Sequence, residues 1–151
     1  MAKFYLSTKI QNLLRKDGWY PDRKIDISHF EHILNDDNGY EINQFSKKFL
    51  INFGNLTVHH DSYRGDSNDY SIFSPDLAIA NLPYAKEEYI NIANSSLCPV
   101  GVGYSEHLTY FLSPKGEMFG GFESYFCHIG SSLEEAFDNI FFKRNFQTLL
   151  E

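Results

Sequence analysis

The feature that most constrains this chain is residues 18–23, Gly-Trp-Tyr-Pro-Asp-Arg, which include its only tryptophan. The amphipathic run before them places four aliphatic side chains on one helical face: Leu6, Ile10, Leu13 and Leu14. Gly18 can adopt the left-handed backbone that ends a helix, and Pro21 prevents simple continuation of that helix. Residues 18–23 are therefore predicted to form a turn between two helices, with the Trp19 indole closing the edge of a core.

Size and charge limit the classes of function. At 151 residues the chain can bury a core as one domain, and we expect a single domain over residues 1–151. The net charge of −7 argues against an obligate nucleic-acid binder, which needs clustered Lys and Arg to neutralise phosphates. Residues 76–151 hold four Lys or Arg against ten Asp or Glu, a net charge of −6, which favours a basic partner.

The chain shows no secretory or membrane segment. Its N-terminal residues lack a long apolar h-region and no stretch approaches the length of a membrane span, so we expect a cytoplasmic protein without a membrane partner. Cys98 and Cys127 lie in apolar surroundings, without the spacing of a metal site or a redox pair. They are predicted to be buried, reduced thiols.

No motif indicates catalysis, a metal ion or another cofactor. His29 and His32 share a helical face but lack the third ligand of a catalytic zinc, and the adjacent His59 and His60 point to opposite faces of a strand. Residues 60–69 lack the alternating acidic positions and the closing Glu of a calcium loop. We therefore expect a protein that is not an enzyme; a hydrolase would need a pocket where polar groups with a perturbed pKa converge.

The order of the predicted elements indicates an α+β domain in which helices pack on an antiparallel sheet. The pattern predicts helices that end near Lys16 and Gly54, one that Asp26 caps and one that begins at about Ser132 with a capping box. A further helix over residues 85–93 starts after Pro83 and turns Tyr89, Ile92 and Ala93 inward. Extended segments are predicted over residues 56–59, 70–73 and 98–102, and a hairpin over residues 108–119.

Five segments carry a family resemblance: residues 18–23, 49–56, 98–101, 111–119 and 130–136. In this order, and over nearly the whole chain, they resemble the third subfamily of the SUKH superfamily of immunity proteins, which is related to Smi1/Knr4. The resemblance implies a bacterial cytoplasmic inhibitor that binds and neutralises a cognate toxin domain of a polymorphic or contact-dependent system, often a nuclease or deaminase. The alternative is a Smi1/Knr4-like regulatory or scaffold domain with a cellular partner. The sequence indicates no oligomeric state.

Candidate toxin-binding residues lie in the acidic second half, around the predicted hairpin. Alternation places Thr109 and Phe111 on one face of the first hairpin strand and Tyr110 and Leu112 on the other. The predicted contact residues are Glu106, Tyr110, Glu117 and Glu123, with Phe111 in place of Tyr110 if helices cover the other face.

A second set of residues belongs to the family motifs, and its predicted role is structural. Trp19 and Arg23 have an alternative role as interface hot spots, because both residue types are enriched there. The motif residues are Gly18, Trp19, Pro21, Arg23, Gly54, Pro99, Gly101, Gly116 and Gly130.

Overall fold

The computed structural model describes residues 4–81 and 86–151. In that part of the chain, six α-helices accompany seven β-strands, and α2 and α6 continue into π-helical turns, His32–Asp37 and Asn139–Lys143. The helices are α1 (Thr8–Lys16), α2 (Ser28–Glu31), α3 (Gln44–Phe53), α4 (Pro75–Ala80), α5 (Lys86–Ala93) and α6 (Leu133–Asp138). The strands are β1 (Thr57–Asp61), β2 (Asn68–Ile72), β3 (Cys98–Gly103), β4 (Leu108–Leu112), β5 (Met118–Phe122), β6 (Tyr125–Gly130) and β7 (Gln147–Leu150).

The strands form one sheet in the order β1 to β7, and every neighbouring pair is antiparallel. The predicted α+β class, with helices on an antiparallel sheet, is confirmed. Because the chain reverses at each step, the β1–β2, β3–β4 and β5–β6 connections share one end of the sheet. We call this the upper end, and the opposite end, which carries the β4–β5 turn, the lower end.

Both faces of the sheet are covered. On one face α1, α3 and α6 enclose the main core, in which Tyr110 and Leu112 lie. On the other face Tyr89 of α5 packs with Phe111 and Phe126, and the rings of Tyr89 and Phe126 stack with centroids 4.5 Å apart. The predicted alternation along β4 is therefore confirmed, and all five of its residues are buried.

The turn after α1 forms as the sequence predicts. Gly18 has a φ of +101°. Its N–H donates to the carbonyl of Arg15, and the N–H of Trp19 donates to the carbonyl of Leu14, a pattern that ends a helix through a left-handed glycine. The Trp19 side chain is 5% exposed, and its ring stacks on Phe53 with centroids 5.9 Å apart. The turn thus seals one edge of the main core.

Asn52 fastens this turn to the C-terminal end of α3. Its Oδ1 accepts a hydrogen bond from Trp19 Nε1 at 3.0 Å, and its Nδ2 donates to the carbonyls of Pro21 and Arg23. Arg23 also binds the end of α3, because its guanidinium donates to the carbonyls of Asn52 (2.9 Å) and Gly54 (2.8 Å). These carbonyls have no partner inside the helix, so Arg23 caps α3. Both Trp19 and Arg23 are engaged in packing.

Three elements were not predicted from the sequence. Helix α4 begins at Pro75, and the side chain of Ser74 accepts a hydrogen bond from Leu77 N–H at its start. Strands β6 and β7 complete the sheet beyond the predicted hairpin. Ser74 followed by Pro75 is a helix-start signal that sequence reasoning missed, whereas β7 has exposed, weakly patterned residues.

One detail of the predicted helices was wrong. Ile92 of α5 does not point inward: its side chain is 37% exposed, and Ile90 packs on the second cluster instead. Helix α2 begins at Ser28, and the predicted capping role of Asp26 is confirmed, because its Oδ1 accepts a hydrogen bond from the Ser28 N–H at 2.8 Å. The predicted start at Pro83 lies outside the described residues.

Cys98 and Cys127 are free and buried, as predicted. Burial raises the pKa of the Cys98 thiol to about 12 and that of Cys127 to about 11. Of the helices in residues 4–81 and 86–151, none combines the length and apolarity that a membrane span requires.

Replacing Asn52 by Ala tests the attachment of the turn. Asn52→Ala removes three hydrogen bonds and leaves the Trp19 N–H without its acceptor. We expect a loss of about 2–3 kcal/mol in the free energy of unfolding, measured by urea denaturation. Asn12→Ala, on the exposed side of α1, is the control and should change it by less than about 0.5 kcal/mol. Equal effects of the two variants would contradict the proposed role of Asn52.

Candidate functional site

The structure divides the acidic residues that the sequence placed around one hairpin. Glu106 and Glu123 lie in the β3–β4 and β5–β6 connections, at the upper end. Glu117 lies in the β4–β5 turn at the lower end, where its Oε2 is 3.3 Å from His128 Nε2. Five residues of a strand span about 17 Å, so Glu117 does not share a surface with the other two. The predicted single acidic surface is corrected in this respect.

Tyr110 is not a surface residue. It is 0% exposed, and its hydroxyl lies 2.7 Å from Ser71 Oγ within the core. Phe111, the alternative from the sequence, is 2% exposed on the other face. Both predictions of a partner contact on β4 were wrong for one reason: helices cover the two faces of the sheet, so that neither alternating set of side chains is accessible.

Aromatic rings from four separate connections meet at the upper end. They enclose a cavity of about 230 Å³, whose lining includes Tyr63, Tyr104, His107, Phe122, Tyr125 and Phe146. We call it the aromatic cavity. Tyr63 and Phe122 are 53% and 44% exposed, unusual values for large apolar side chains. Sequence reasoning missed these residues, because they are up to 83 positions apart (63 to 146) and only the sheet brings them together.

Three of these rings pack at steep angles to one another. The centroid of Tyr104 lies 5.9 Å from those of both Tyr63 and Phe146, with interplanar angles of 90° and 67°. Tyr63 and Phe146 are 5.6 Å apart. The Tyr104 hydroxyl donates to the carbonyl of Ile140 at 2.6 Å, and burial raises its pKa. The hydrogen bond to Ile140 thus fixes the buried Tyr104 ring, whereas the Tyr63 ring is exposed to solvent.

The connection from β3 to β4 holds an unusual backbone. Tyr104, Ser105 and Glu106 have φ values of 51°, 61° and 65°, in the left-handed region that costs a non-glycine residue about 1–2 kcal/mol. Neighbouring groups hold it there: Asp69 Oδ1 accepts the Ser105 N–H at 2.7 Å, and Tyr70 donates its hydroxyl to Glu106 Oε2 at 2.9 Å. The Glu106 carboxylate is therefore held in a defined position at the upper end.

Acidic side chains dominate the charge at the upper end. Its connections and the strand ends beside them, residues 61–70, 104–107, 122–125 and 144–146, carry five carboxylates and two arginines, a net charge of −3. One of the arginines, Arg144, has its Nη1 3.9 Å from Asp61 Oδ2. An apolar cavity with an acidic surround suits a ligand that combines positive charge with a flat or apolar body.

A buried chain of polar groups resembles a catalytic dyad but is sealed. His60 Nδ1 lies 2.7 Å from the carbonyl of Asp61 and therefore donates to it, which leaves Nε2 to accept from Ser71 Oγ at 2.7 Å. Ser71 is 0% exposed, and Tyr110 contacts its Oγ from the other side. Because no substrate reaches this hydroxyl, the group stabilises the core instead of acting as a nucleophile.

Two further histidines contact surface carboxylates. His29 Nε2 lies 2.7 Å from Asp76 Oδ2, and His32 lies 2.9 Å from Asp36 through its Nδ1 and 3.5 Å from Asp37 through its Nε2. In residues 4–81 and 86–151, no three His, Cys, Asp or Glu side chains come together as metal ligands would.

The remaining motif residues occupy tight places in the fold. Pro99 and Gly101 flank a bulge in β3, and Gly116 ends the β4–β5 turn with a φ of +88° against the ring of Phe45. A Cβ at Gly54 would collide with the carbonyl of Leu50 and with the side chains of Ile25 and Phe30, and one at Gly130 would collide with the backbone of residues 135 and 136. These contacts are internal and add nothing to a binding surface.

Two larger cavities have a different character. One, of about 370 Å³, lies beside the Trp19 turn and has Arg23, Lys24 and Lys48 in its wall. The other, of about 400 Å³, contains Asp138 and Lys143, which pair at 3.1 Å. Neither is lined mainly by aromatic rings, so the aromatic cavity is the better candidate site.

Comparison with known proteins gives one match. A family model described as SUKH-3 immunity protein matches residues 6–142, from just before α1 to the π-helical turn after α6. Searches of curated proteins and of solved structures found no match.

The buried histidine makes a testable contribution to the pH dependence of stability. Burial lowers the pKa of His60 from its ordinary 6.5, so the folded protein resists protonation that the unfolded chain accepts. The contribution of His60 to the free energy of unfolding should therefore be present in full above about pH 6.5. It should fall as the pH drops from there toward the lower pKa of His60 in the folded protein. His60→Gln should flatten this slope between pH 7.5 and 5, and the exposed His59→Gln should not. An NMR titration of wild-type His60 with a midpoint at or above 6.5 would contradict this account.

Proposed function

The chain belongs to the SUKH-3 immunity protein family, and from this premise we propose that it binds a cognate toxin domain and neutralises it as a stoichiometric complex. The observation that carries the proposal is the match itself, which spans the main core and six of the seven strands, β1 to β6. In this proposal the protein acts in the bacterial cytoplasm, on a toxin of a polymorphic or contact-dependent system. Inhibition requires binding and no turnover.

The charge of the chain supports a basic toxin. With a net charge of −7, the protein would be attracted to the positive surfaces with which nucleases and nucleic-acid deaminases bind their substrates. Complementary charge accelerates association, and aromatic contacts then hold the complex. The same charge disfavours a direct partnership with nucleic acid.

The proposed contact surface is the upper end of the sheet. It keeps Glu106 and Glu123 from the predicted set and adds the exposed rings of Tyr63 and Phe122, which suit an interface centre. Glu117 is left out, because it lies at the lower end and contacts His128. Its position makes it a matched control for the two upper carboxylates.

Co-expression with the toxin domain encoded beside the gene tests the function. We expect the wild-type chain to restore growth and to copurify with the toxin at a one-to-one ratio. The double variant Glu106→Gln/Glu123→Gln should bind about tenfold more weakly, mainly through slower association, and the difference should shrink between 50 and 200 mM salt. Surface plasmon resonance gives both rates, and Glu117→Gln should match the wild type.

Two results would contradict the proposal. Absence of both rescue and complex would favour the Smi1/Knr4-like regulatory or scaffold role. If the wild type restores growth but Glu117→Gln and the double variant fail equally, the function stands and the upper end is not the contact surface.

A further inference from the structure

We propose that the aromatic cavity at the upper end receives the side chain of a single arginine, held between tyrosine and phenylalanine rings and paired with Glu106 or Glu123. The inference rests on the proposed function in one respect only, namely that the arginine belongs to the toxin. The cavity itself is defined by Tyr63, Tyr104, Phe122 and their neighbours.

The size of the cavity fits one side chain. Its volume of about 230 Å³ is below the roughly 300–1,000 Å³ of pockets that hold drug-sized molecules. It is also open on the side of Tyr63 and Phe122, whose rings are about half exposed. A side chain that projects from a partner surface can therefore enter without any movement of the buried rings.

Three rings of the cavity pack directly on one another, and the exposed rings of Tyr63 and Phe122 offer their free surfaces to a cation. Tyr63, Tyr104 and Phe146 lie 5.6–5.9 Å from one another, and the Tyr63 and Tyr104 planes are perpendicular. A cation within about 6 Å of a ring centroid is attracted by the negative face of the ring, and several rings around one site act together. In the described part of the chain, the three cation–π contacts involve Phe142, Trp19 and Phe4. None of these three contacts uses a ring that lines the aromatic cavity.

Carboxylates stand next to the rings in the chain. Glu106 lies between Tyr104 and His107, and the Tyr70 hydroxyl orients its carboxylate at 2.9 Å. Glu123 follows Phe122 with a left-handed backbone, and its carbonyl accepts a hydrogen bond from the Tyr89 hydroxyl, which anchors the turn. The negative charge at this end disfavours an anion, whereas a guanidinium can gain a charge-assisted bond to one of these carboxylates.

Arginine fits better than lysine. Its guanidinium is flat, stacks on aromatic faces, is weakly hydrated and bonds a carboxylate through two parallel N–H groups. Lysine carries a compact and strongly hydrated charge, which loses more hydration on entering an apolar cavity. The rings provide the stacking surface, and Glu106 provides the fixed carboxylate.

The direct test is an NMR titration of the ¹⁵N-labelled full chain with acetyl-Gly-Arg-Gly-amide at pH 7.5 and low salt. We expect saturable shifts of the amides of residues 63, 104–107, 122–125 and 146. The peptide with citrulline in place of arginine keeps the shape without the charge and should bind at least about fivefold more weakly. The lysine peptide should also bind more weakly than the arginine peptide. Equal binding of the arginine and citrulline peptides, or of the arginine and lysine peptides, would overturn the proposal.

Matched variants separate the cavity from general surface effects. Tyr63→Ser and Phe122→Ser each remove an exposed ring and should weaken arginine-peptide binding by about two- to fivefold. Tyr20→Ser is the control, because Tyr20 is 52% exposed and lies in the helix-connecting turn. Glu106→Gln should weaken binding, and Glu117→Gln should leave it unchanged. A control variant that reduces binding as much as its cavity counterpart would also overturn the proposal.

The two proposals can fail separately. If the chain binds the arginine peptide but does not restore growth in the presence of the toxin, the cavity assignment stands and the toxin function is wrong. If the chain restores growth but binds no arginine peptide, and Tyr63→Ser protects as well as the wild type, the toxin function stands and the cavity assignment is wrong.

Discussion

The burial of the sheet on both faces is the constraint on which the rest of this structure depends. The main core covers one face and the cluster around Tyr89 covers the other, so that a central strand such as β4 has no accessible side chain. Burial of this much aromatic surface is the main source of stability. It also confines recognition to the ends and edges of the sheet, where the backbone turns and polar side chains reach water.

The upper end combines rigidity with exposure. Its strained β3–β4 connection is held by Asp69 and Tyr70 on the neighbouring strand, and its floor is Tyr104, whose hydroxyl reaches the turn after α6. Five of the seven non-glycine residues with positive φ in the described chain lie in the connections at this end. A backbone held in such conformations by its surroundings is a recurrent property of binding sites. The exposed rings of Tyr63 and Phe122 then rest on a support that does not need to reorganise on binding.

Local signals predicted local structure well. Gly18 and Pro21 marked the turn, Gly116 marked the hairpin and Ser132 marked the start of α6, because each acts through its own backbone or a cap three residues away. Helix α4 was missed although Ser74 and Pro75 marked its start. Strand β6 was missed although a two-residue turn joins it to β5, whereas β7 was missed because its pairing with β6 spans the intervening helix α6.

The sequence by itself determined the class of fold, the family and the acidic character, since ordered motifs and net charge are properties of the chain in any conformation. Only the tertiary structure decided which residues face a partner. The alternation of residues along β4 correctly placed Tyr110 and Phe111 on opposite faces of the sheet. Whether either face is exposed depends on where α5 packs, and in this structure both faces are covered. The candidate site joins Tyr63, Tyr104 and Phe146 across 83 positions (63 to 146) of sequence. Such a site exists only once the strands are paired, because no local pattern specifies the distance between rings from separate connections.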